Sequence, residues 1–310
     1  MVNEFMKHFK RAIGRNLLLF AMWVIQKFPY SFVKSMTRVL TFIGPRFLVK
    51  HQKIARENLQ FAFGREKSEA QINQLANECF VNFGKGMVDL AYYIDTPSKL
   101  ASKVTVEGKK YLDEALKLQK GVIAVSAHFG NFVLMHMKLI LDGYKVNVMI
   151  RPTRDQKFEK YIYGLRIKVG IKTIYAVPRR ACIQQCLNAL RNNEIVFILL
   201  DQNFGDEGNV FVDFFGKQAA TAPGPVVLAK RTGAPIVPMF IRSNSQEEHR
   251  VMIDPPLILE DRMDKNEELT VNLERITKII ERYIRLYPVE WSGWVHKRWK
   301  SRPKMSEVMI

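Results

Sequence analysis

His128 lies where the sequence most favours chemistry. It follows residues 121–127, a run of small and β-branched residues with the length and composition of a buried strand. Residues 131–141 after it have the pattern of an apolar helix. Ligands of open α/β sheets bind where strands end, and an imidazole with an ordinary pKa of about 6.5 can act there as a general base. The plainer alternative is that His128 only packs in the core.

Two further polar residues, Arg151 and Asp201, directly follow predicted strands. Parallel neighbouring strands bring their carboxyl ends to the same edge of a sheet. If the three strands are neighbours of this kind, His128, Arg151 and Asp201 meet at that edge. The sequence therefore predicts a polar site built from the ends of three strands.

Hydrophobic periodicity and Gly/Pro punctuation predict the elements that position these residues. The predicted helices cover 1–28, 30–43, 46–63, 68–93, 108–119, 131–141, 157–169, 181–192, 222–232 and 265–286. The predicted strands cover 104–106, 121–127, 146–150, 173–175, 195–200, 236–241 and 250–253. Strands and helices alternate from about residue 103, which indicates an α/β domain over 101–310, preceded by a helical region over 1–100.

The charge of the chain is strongly basic and concentrated at its start. The net charge is +18, and residues 1–56 contain 11 Lys or Arg but one acidic residue, Glu4. Basic residues that flank apolar, Trp- and Phe-containing helices are typical of segments in a membrane interface. We therefore expect 1–100 to dock on anionic membrane lipids. The apolar run between Arg15 and Lys27 is short for a bilayer span, although a single N-terminal anchor remains an alternative.

Several short segments carry a recognisable order. They are 56–59 with 61–63, 127–132 (Ala-His-Phe-Gly-Asn-Phe), 151–152, 201–203, 211–216, 221–224, 291–294 and 296–300. In order and spacing they resemble the bacterial lipid A biosynthesis acyltransferases, the late lauroyl/myristoyl transferases of the lysophospholipid acyltransferase superfamily. The resemblance covers nearly the whole chain. It implies a mostly parallel central sheet flanked by helices, similar to the glycerol-phosphate acyltransferases.

The resemblance implies transfer of a fatty acyl group from an acyl thioester, carried by acyl carrier protein or CoA, to a hydroxyl of a lipid A precursor or related glycolipid. No other cofactor and no metal are expected. His128 would then be the base. Arg151 would bind the oxyanion or the acceptor's phosphates because a guanidinium forks onto such oxygens, although a solvated surface residue is its alternative. Arg154 would extend the basic surface that faces phosphate head groups.

The chain departs from the family at the centre of the box. The family places a carboxylate five residues after the histidine, where this chain has Val133. Asp201 is our candidate to replace that acid, by hydrogen bonding to the far nitrogen of the imidazole. Its alternative is to cap the backbone of the following turn. The departure also leaves open a catalytically impaired, lipid-binding homologue.

The remaining predicted site residues belong to the substrate pocket or to the end of the chain. Asp213, Phe215 and Gly216, in the segment that resembles the family's signature turn, are expected to shape the pocket. Asn131 is placed in the pocket as well, although capping the helix after His128 is the expected role of its side chain. Residues 294–300 are expected to form an exposed aromatic and basic tail at the membrane interface. Their alternative is to bind phosphates of the acyl carrier or the acceptor through Trp294, His296, Arg298, Trp299 and Lys300.

The sequence is compatible with three classes of function. The enzyme is the preferred hypothesis, the non-catalytic lipid-binding homologue is second, and a nucleic-acid binder rests on net charge alone, so no nucleic-acid partner is expected. Three cysteines without metal-like spacing indicate reduced thiols. With the basic helical region, they favour a protein that faces the cytoplasm at a membrane surface, and the resemblance implies the inner membrane of a bacterium.

Overall fold

The computed structural model describes residues 2–33, 35, 37, 48–205, 208–244 and 248–302. The α-helices are α1 Val2–Lys27, α2 Val49–Phe63, α3 Glu69–Tyr93, α4 Pro97–Leu100, α5 Lys109–Lys117, α6 Phe132–Leu141, α7 Gln156–Lys168, α8 Arg179–Arg191, α9 Gly224–Thr232 and α10 Lys265–Leu286. The strands are β1 Val104–Glu107, β2 Val122–Ser126, β3 Val146–Ile150, β4 Lys172–Tyr175, β5 Ile195–Leu199, β6 Val210–Phe214, β7 Lys217–Thr221, β8 Ile236–Ser243 and β9 His249–Ile253. Two 3₁₀ turns, Pro288–Glu290 and Ser292–Val295, follow α10.

Seven strands form one central sheet in the order β1-β9-β8-β2-β5-β3-β4. The neighbours from β8 to β4 pair in parallel, while β9 pairs antiparallel with β8 and parallel with β1. The predicted α/β class with a mostly parallel sheet is therefore confirmed. The order also places β5 between β2 and β3, so the three strands that precede the predicted site residues are neighbours.

Alternating side chains of the central strands fill two separate cores, one on each face of the sheet. Ile123 and Val125 of β2 belong to the core shared with α8, α9 and α10. Val122 and Ala124 face the opposite core, shared with α5 and α6. Burial on both faces explains why β2 reads as a continuous apolar run without polar alternation.

The helices before β1 are packed against the end of the chain. Leu59 and Phe63 of α2 and Ile72 of α3 belong to the same core as Trp291 and Trp294. Part of the helix predicted over 30–43 lies outside the described residues. Within the described part of the chain, no helix is both long enough and apolar enough to cross a membrane.

The structure contains a β-hairpin that the sequence patterns did not predict. Strands β6 and β7 pair antiparallel and form a separate two-stranded sheet packed against α10. The two residues of its turn, Phe215 and Gly216, both have positive φ angles, +57° and +77°. This is the backbone of a tight hairpin turn. The usual sequence signal of such a turn is a pair such as Asn-Gly, and the pair Phe215-Gly216 does not provide it.

Candidate active site

The backbone around His128 is held by the end of the chain. The backbone carbonyl of His128 accepts hydrogen bonds from the N–H and the hydroxyl of Ser292, both at 2.9 Å. The N–H of Gly130 donates to the carbonyl of Glu290 at 2.8 Å. Gly130 has φ +56°, and a Cβ there would lie 1.9 Å from the carbonyl oxygen of Ile241. Glycine is therefore required at this turn, which fixes the direction in which β2 delivers His128.

His128 and Asp201 form a direct pair across neighbouring strands. Nδ1 of His128 lies 2.9 Å from Oδ1 of Asp201. The imidazole is 29 % exposed, whereas the carboxylate is 0 % exposed, so the acid is fully enclosed and the base is reachable. An ionised carboxylate can only accept, so Nδ1 carries the proton in the neutral ring and Nε2 is left free to take one.

The second oxygen of Asp201 is used by Trp291. The indole Nε1–H of Trp291 donates to Oδ2 at 2.8 Å, and its ring is fully buried. Both carboxylate oxygens are therefore engaged by side chains. Of the two alternatives left open by the sequence, the structure shows the contact with the imidazole.

Each member of the pair stabilises the charged form of the other. Burial acts to lower the pKa of His128, but the charge of Asp201 and its hydrogen bond outweigh burial, so that pKa is raised above 6.5. Burial acts to raise the pKa of Asp201, but the charge and hydrogen bond of His128 and the bond from Trp291 bring it below 3.8. Asp201 is therefore ionised at neutral pH and stabilises a protonated His128.

A general base must be neutral before it accepts a proton, so the raised pKa of His128 predicts the pH dependence of the reaction. We expect kcat/KM to increase with pH through a midpoint above 6.5. A pH–rate profile, measured over a range in which circular dichroism shows an unchanged fold, checks this. A midpoint below 6.5 would contradict the assigned environment of the imidazole.

Buried side chains of the segment 291–298 support the site. Trp294 is 0 % exposed and Arg298 is 1 % exposed. The guanidinium of Arg298 donates to the carbonyls of Gln202 at 3.0 Å and Ala220 at 2.5 Å and to Thr221 Oγ1 at 2.6 Å. The predicted exposed tail is therefore wrong for these two residues. Burial of the Arg298 guanidinium is made possible by the acceptors of its two Nη atoms, although its Nε has no partner among the described residues. Burial lowers the pKa of Arg298 to about 10, so it remains charged at neutral pH.

Removing the guanidinium should destabilise the fold. For Arg298→Met we expect unfolding in urea to show a loss of roughly 3 kcal/mol, because the substitution leaves buried oxygens without donors. Lys297→Met removes the charge of an exposed neighbour and should change stability by less than about 0.5 kcal/mol. An Arg298→Met protein as stable as the wild type would contradict the assigned hydrogen bonds.

A large apolar cavity borders His128. Its volume is about 760 Å³, within the range of small-molecule sites. The apolar side chains around it include Leu18, Met22, Val88, Val148, Ile162 and Leu165. Its walls come from α1, α3, α6, α7, β3 and β5, so the helical region and the sheet build it together. We refer to it as the apolar cavity.

A second cavity of about 360 Å³ lies on the other side of a shared wall. His128, Phe132 and Val133 border both cavities. The polar side chains around the second one include Asn82, Lys85, Asp89, Asn131, Ser243 and Glu290. We refer to it as the polar cavity. Apolar side chains such as Phe83, Met87 and Val289 also line this cavity, so His128 borders one apolar cavity and one cavity of mixed lining.

The predicted arginines are placed differently from each other. Arg151 follows β3 and borders the apolar cavity together with His128, as expected from the strand order. Arg154 is exposed and borders neither cavity. The predicted convergence is confirmed for His128 and Asp201, which are in contact, whereas Arg151 is exposed and shares only the cavity wall with His128.

Asn131 does not cap the helix that it precedes. It occupies the N-cap position of α6, but its side chain makes no capping hydrogen bond there. Its Nδ2 instead donates to the carbonyl of Gly86 on α3 at 2.7 Å. The capping prediction is wrong because a long-range acceptor is available to the amide. Asn131 does border the polar cavity.

The turn of the β6–β7 hairpin borders neither cavity. Asp213 pairs with Lys278 of α10 and accepts a hydrogen bond from the N–H of Gly216. The N–H of Phe215 donates to Glu281 of α10 at 2.8 Å. The expected pocket role of Asp213, Phe215 and Gly216 therefore differs from their observed place, which is a turn fastened to α10.

Gln202 is a site residue that we did not predict. Its Nε2 lies 3.4 Å from Nε2 and 3.5 Å from Nδ1 of His128, and it borders the apolar cavity. The signals for it in the sequence are its position directly after Asp201 at a strand end and its place in the segment 201–203, which carries part of the family resemblance. Among the described residues, no group of three or more histidine, cysteine, aspartate or glutamate side chains is placed to hold a metal ion.

Comparisons of the sequence with a family model and with individual proteins identify the same family. Residues 3–301 match the family model described as bacterial lipid A biosynthesis acyltransferase. The chain is 24 % identical over 285 residues to the lipid A biosynthesis lauroyltransferase of Escherichia coli, covering 91 % of this chain and 90 % of that one. It is 27 % identical over 298 residues to the palmitoleoyltransferase of the same organism, covering 91 % and 89 %.

A solved structure was also matched. The 1-acyl-sn-glycerophosphate acyltransferase PlsC from Thermotoga maritima aligns with a TM-score of 0.37 and 13 % identity, covering 89 % of this chain and 98 % of that one. A TM-score at this level is low. The fold described above therefore rests on the strand order and pairing of the chain itself.

Proposed function

The chain belongs to the bacterial lipid A biosynthesis acyltransferase family, and from this premise we propose that it transfers a fatty acyl group from an acyl thioester to a hydroxyl of a lipid A precursor or a related glycolipid. The observation that carries the proposal is the hydrogen-bonded pair of His128 and Asp201 at the wall between an apolar and a polar cavity. The pair supplies the base, and the two cavities suit the two ends of the reaction.

Nε2 of His128 takes the proton of the acceptor hydroxyl as its oxygen attacks the thioester carbonyl carbon. The positive charge on the ring is stabilised by Asp201, whose carboxylate remains ionised. The tetrahedral intermediate then breaks its C–S bond, and the imidazolium returns the proton to the departing thiolate. The new ester and the free thiol leave His128 neutral again.

The developing oxyanion needs donors beside the attacked carbon. The amide of Gln202 lies against the imidazole, and Arg151 borders the same cavity. We assign Gln202 as the nearer donor. Arg151 adds positive charge for the oxyanion or for phosphates of the acceptor, and exposed Arg154 contributes to the basic surface around it.

The two substrates divide between the two cavities. The acyl chain occupies the apolar cavity, since its aliphatic lining is suited to a hydrocarbon. The head group of the acceptor enters the polar cavity, where Lys85 and the second N–H of the Asn131 amide offer donors to sugar or phosphate oxygens. Each substrate then presents its reacting group to His128 at the shared wall.

Acyl transfer by the purified protein tests the proposal. Labelled acyl thioesters of acyl carrier protein and of CoA are offered with a lipid A precursor, a phosphatidylinositol mannoside or a monoacylated glycerophosphate. The proposal expects a product that is heavier by one acyl group, from the lipid A precursor or a related glycolipid. Absence of product from every donor and acceptor pair, with the protein folded, would reject it.

Val133 favours a second candidate, a lipid-binding homologue that has lost catalysis, because the family's box acid is missing. The position of Asp201 favours the enzyme, since it supplies a carboxylate to Nδ1 from another strand. The two candidates differ in outcome. The impaired homologue binds the acceptor lipid but leaves the thioester unconsumed.

We further propose that the protein works at the cytoplasmic face of a bacterial inner membrane. One side of α1 borders the apolar cavity through Leu18 and Met22. Leu17 and Phe20 on the same helix are each 63 % exposed. A helix that is apolar on both sides and carries basic residues suits the interface of anionic lipids. The net charge of +18 also suits an acidic acyl carrier protein as donor.

Membrane docking can be tested with one substitution and its matched control. Phe20→Glu should lower binding to vesicles of phosphatidylethanolamine and phosphatidylglycerol by about tenfold or more, because a buried aromatic side chain contributes roughly 1.5–3 kcal/mol. Asn16→Glu adds the same charge at an exposed position without removing apolar area. Equal losses in the two variants would mean that charge alone accounts for the effect, and Phe20 would not be a lipid contact.

A further inference from the structure

A second histidine, His136, borders the apolar cavity one helical turn after Phe132 on α6. The ring of His128 packs edge-on against Phe132 with 5.3 Å between centroids, and Phe132 packs against His136 at 6.0 Å. On its other side, His136 lies 4.4 Å from the ring of Phe197. The three side chains at 128, 132 and 136 therefore form a row along the cavity wall, which leads away from the reacting centre.

His136 is polar, buried and unsatisfied. It is 4 % exposed, and its Nε2 has no hydrogen-bond partner among the residues that the structure describes. Burial lowers its pKa to about 3, so the ring is neutral at physiological pH. A neutral imidazole has one N–H donor and one acceptor nitrogen. Leaving such a group without a partner is costly, and an apolar residue of similar size would avoid that cost.

Neither a water molecule nor a proton relay accounts for this histidine. A buried water needs two or more polar partners, and the rings that flank His136 are those of Phe132 and Phe197. A proton relay to His128 would have to pass Phe132, whose side chain has no exchangeable proton. The group that satisfies His136 is therefore expected to arrive with the occupant of the cavity.

We propose that the apolar cavity selects an acyl chain that carries a hydroxyl group, and that His136 binds this hydroxyl. The proposal rests on the proposed function, since it assumes that the acyl chain lies in this cavity. A hydroxyl both donates and accepts, so it matches a neutral imidazole. A chain whose carbonyl lies at His128 passes Phe132 before it reaches His136. The hydroxyl is therefore in mid-chain, beyond the carbon β to the carbonyl.

Transfer kinetics with acyl thioesters of equal length test the selection. The donors carry no hydroxyl, a hydroxyl at the β carbon, or a hydroxyl in mid-chain. We expect the wild type to use the mid-chain hydroxyacyl donor with a kcat/KM at least about tenfold above the plain donor. His136→Leu should lose that preference while still using the plain donor, and His136→Gln, which can also donate and accept, should keep part of it.

Met137→Leu is the matched control, because Met137 is buried on the same helix but borders neither cavity. It should leave the preference unchanged. Equal use of all three donors by the wild type, or the same preference in wild type and His136→Leu, would overturn the proposal.

A binding measurement separates this proposal from the proposed function. Thermal unfolding of the full chain is followed with plain and mid-chain hydroxylated fatty acids of one length. A larger stabilisation by the hydroxylated acid, lost in His136→Leu, supports the role of His136 even if no acyl transfer is observed. Equal stabilisation by both acids rejects it, whether or not the protein transfers acyl groups.

Discussion

Replacing His128 with alanine should lower kcat for acyl transfer by a hundredfold or more, which is on the order of 3 kcal/mol of barrier. The substitution removes the base that takes the hydroxyl proton and the acid that protonates the leaving thiolate. It also removes the partner of the buried Asp201 carboxylate. The effect is measured as single-turnover transfer from a labelled acyl thioester, so that binding and chemistry are separated.

The control for this variant is a histidine outside the site. His51 is exposed on α2 and borders neither cavity, so His51→Ala should retain wild-type transfer. Thermal unfolding of both variants shows whether the fold survives. A folded His128→Ala protein with undiminished transfer would remove His128 from the mechanism, and the base would have to be sought elsewhere along the two cavities.

Asp201→Asn should lower transfer by roughly a thousandfold, because the amide reverses the polarity of the contact with His128. Its NH₂ group can donate to Nδ1, which leaves the proton on Nε2 and removes the free base. The charge that stabilises the imidazolium is lost as well. In this variant the pKa of His128 should be lower than in the wild type, because burial still lowers it while the charge of Asp201 no longer raises it. The pH dependence of the remaining activity should follow this lower pKa.

The pH profile of the residual activity checks this reasoning. In wild type the acid limb has its midpoint above 6.5, and in Asp201→Asn the limb should move to lower pH. Trp291→Phe keeps an aromatic ring but removes the N–H bond to Oδ2 and part of the buried indole, and it should lower transfer by about tenfold or less because the carboxylate stays ionised. A stationary acid limb in Asp201→Asn would show that Asp201 does not set the protonation of His128.

Much of the architecture is determined by local sequence patterns. The apolar runs before His128, Arg151 and Asp201 predict β2, β3 and β5 to within a residue or two. The amphipathic period of 265–286 predicts α10 with its observed bounds. These elements obey the patterns because each has one dominant requirement, burial on both faces for the strands and burial of one face for the helix. The turn at Phe215 does not follow a local sequence pattern, because its backbone is set by the packing of the hairpin on α10.

The sequence by itself determined the family and the strand ends at which the candidate site residues lie. Only the tertiary structure decided which of these residues touch. Val133 occupies the usual position of the acid, and the carboxylate that reaches Nδ1 comes from Asp201, 73 residues away, because β5 lies beside β2. Burial was decided in the same way. Arg298 and Trp294 look like a surface tail in sequence but are enclosed. Arg298 donates to the carbonyl of Ala220, 78 residues away, and Trp294 donates to the nearby carbonyl of Pro288. In sequence, His136 is one polar residue in an apolar helix. Only the structure shows that it borders a cavity and that its Nε2 has no partner among the described residues. Local patterns encode periodicity and burial preference, whereas contacts between strands depend on a sheet order that no local segment contains.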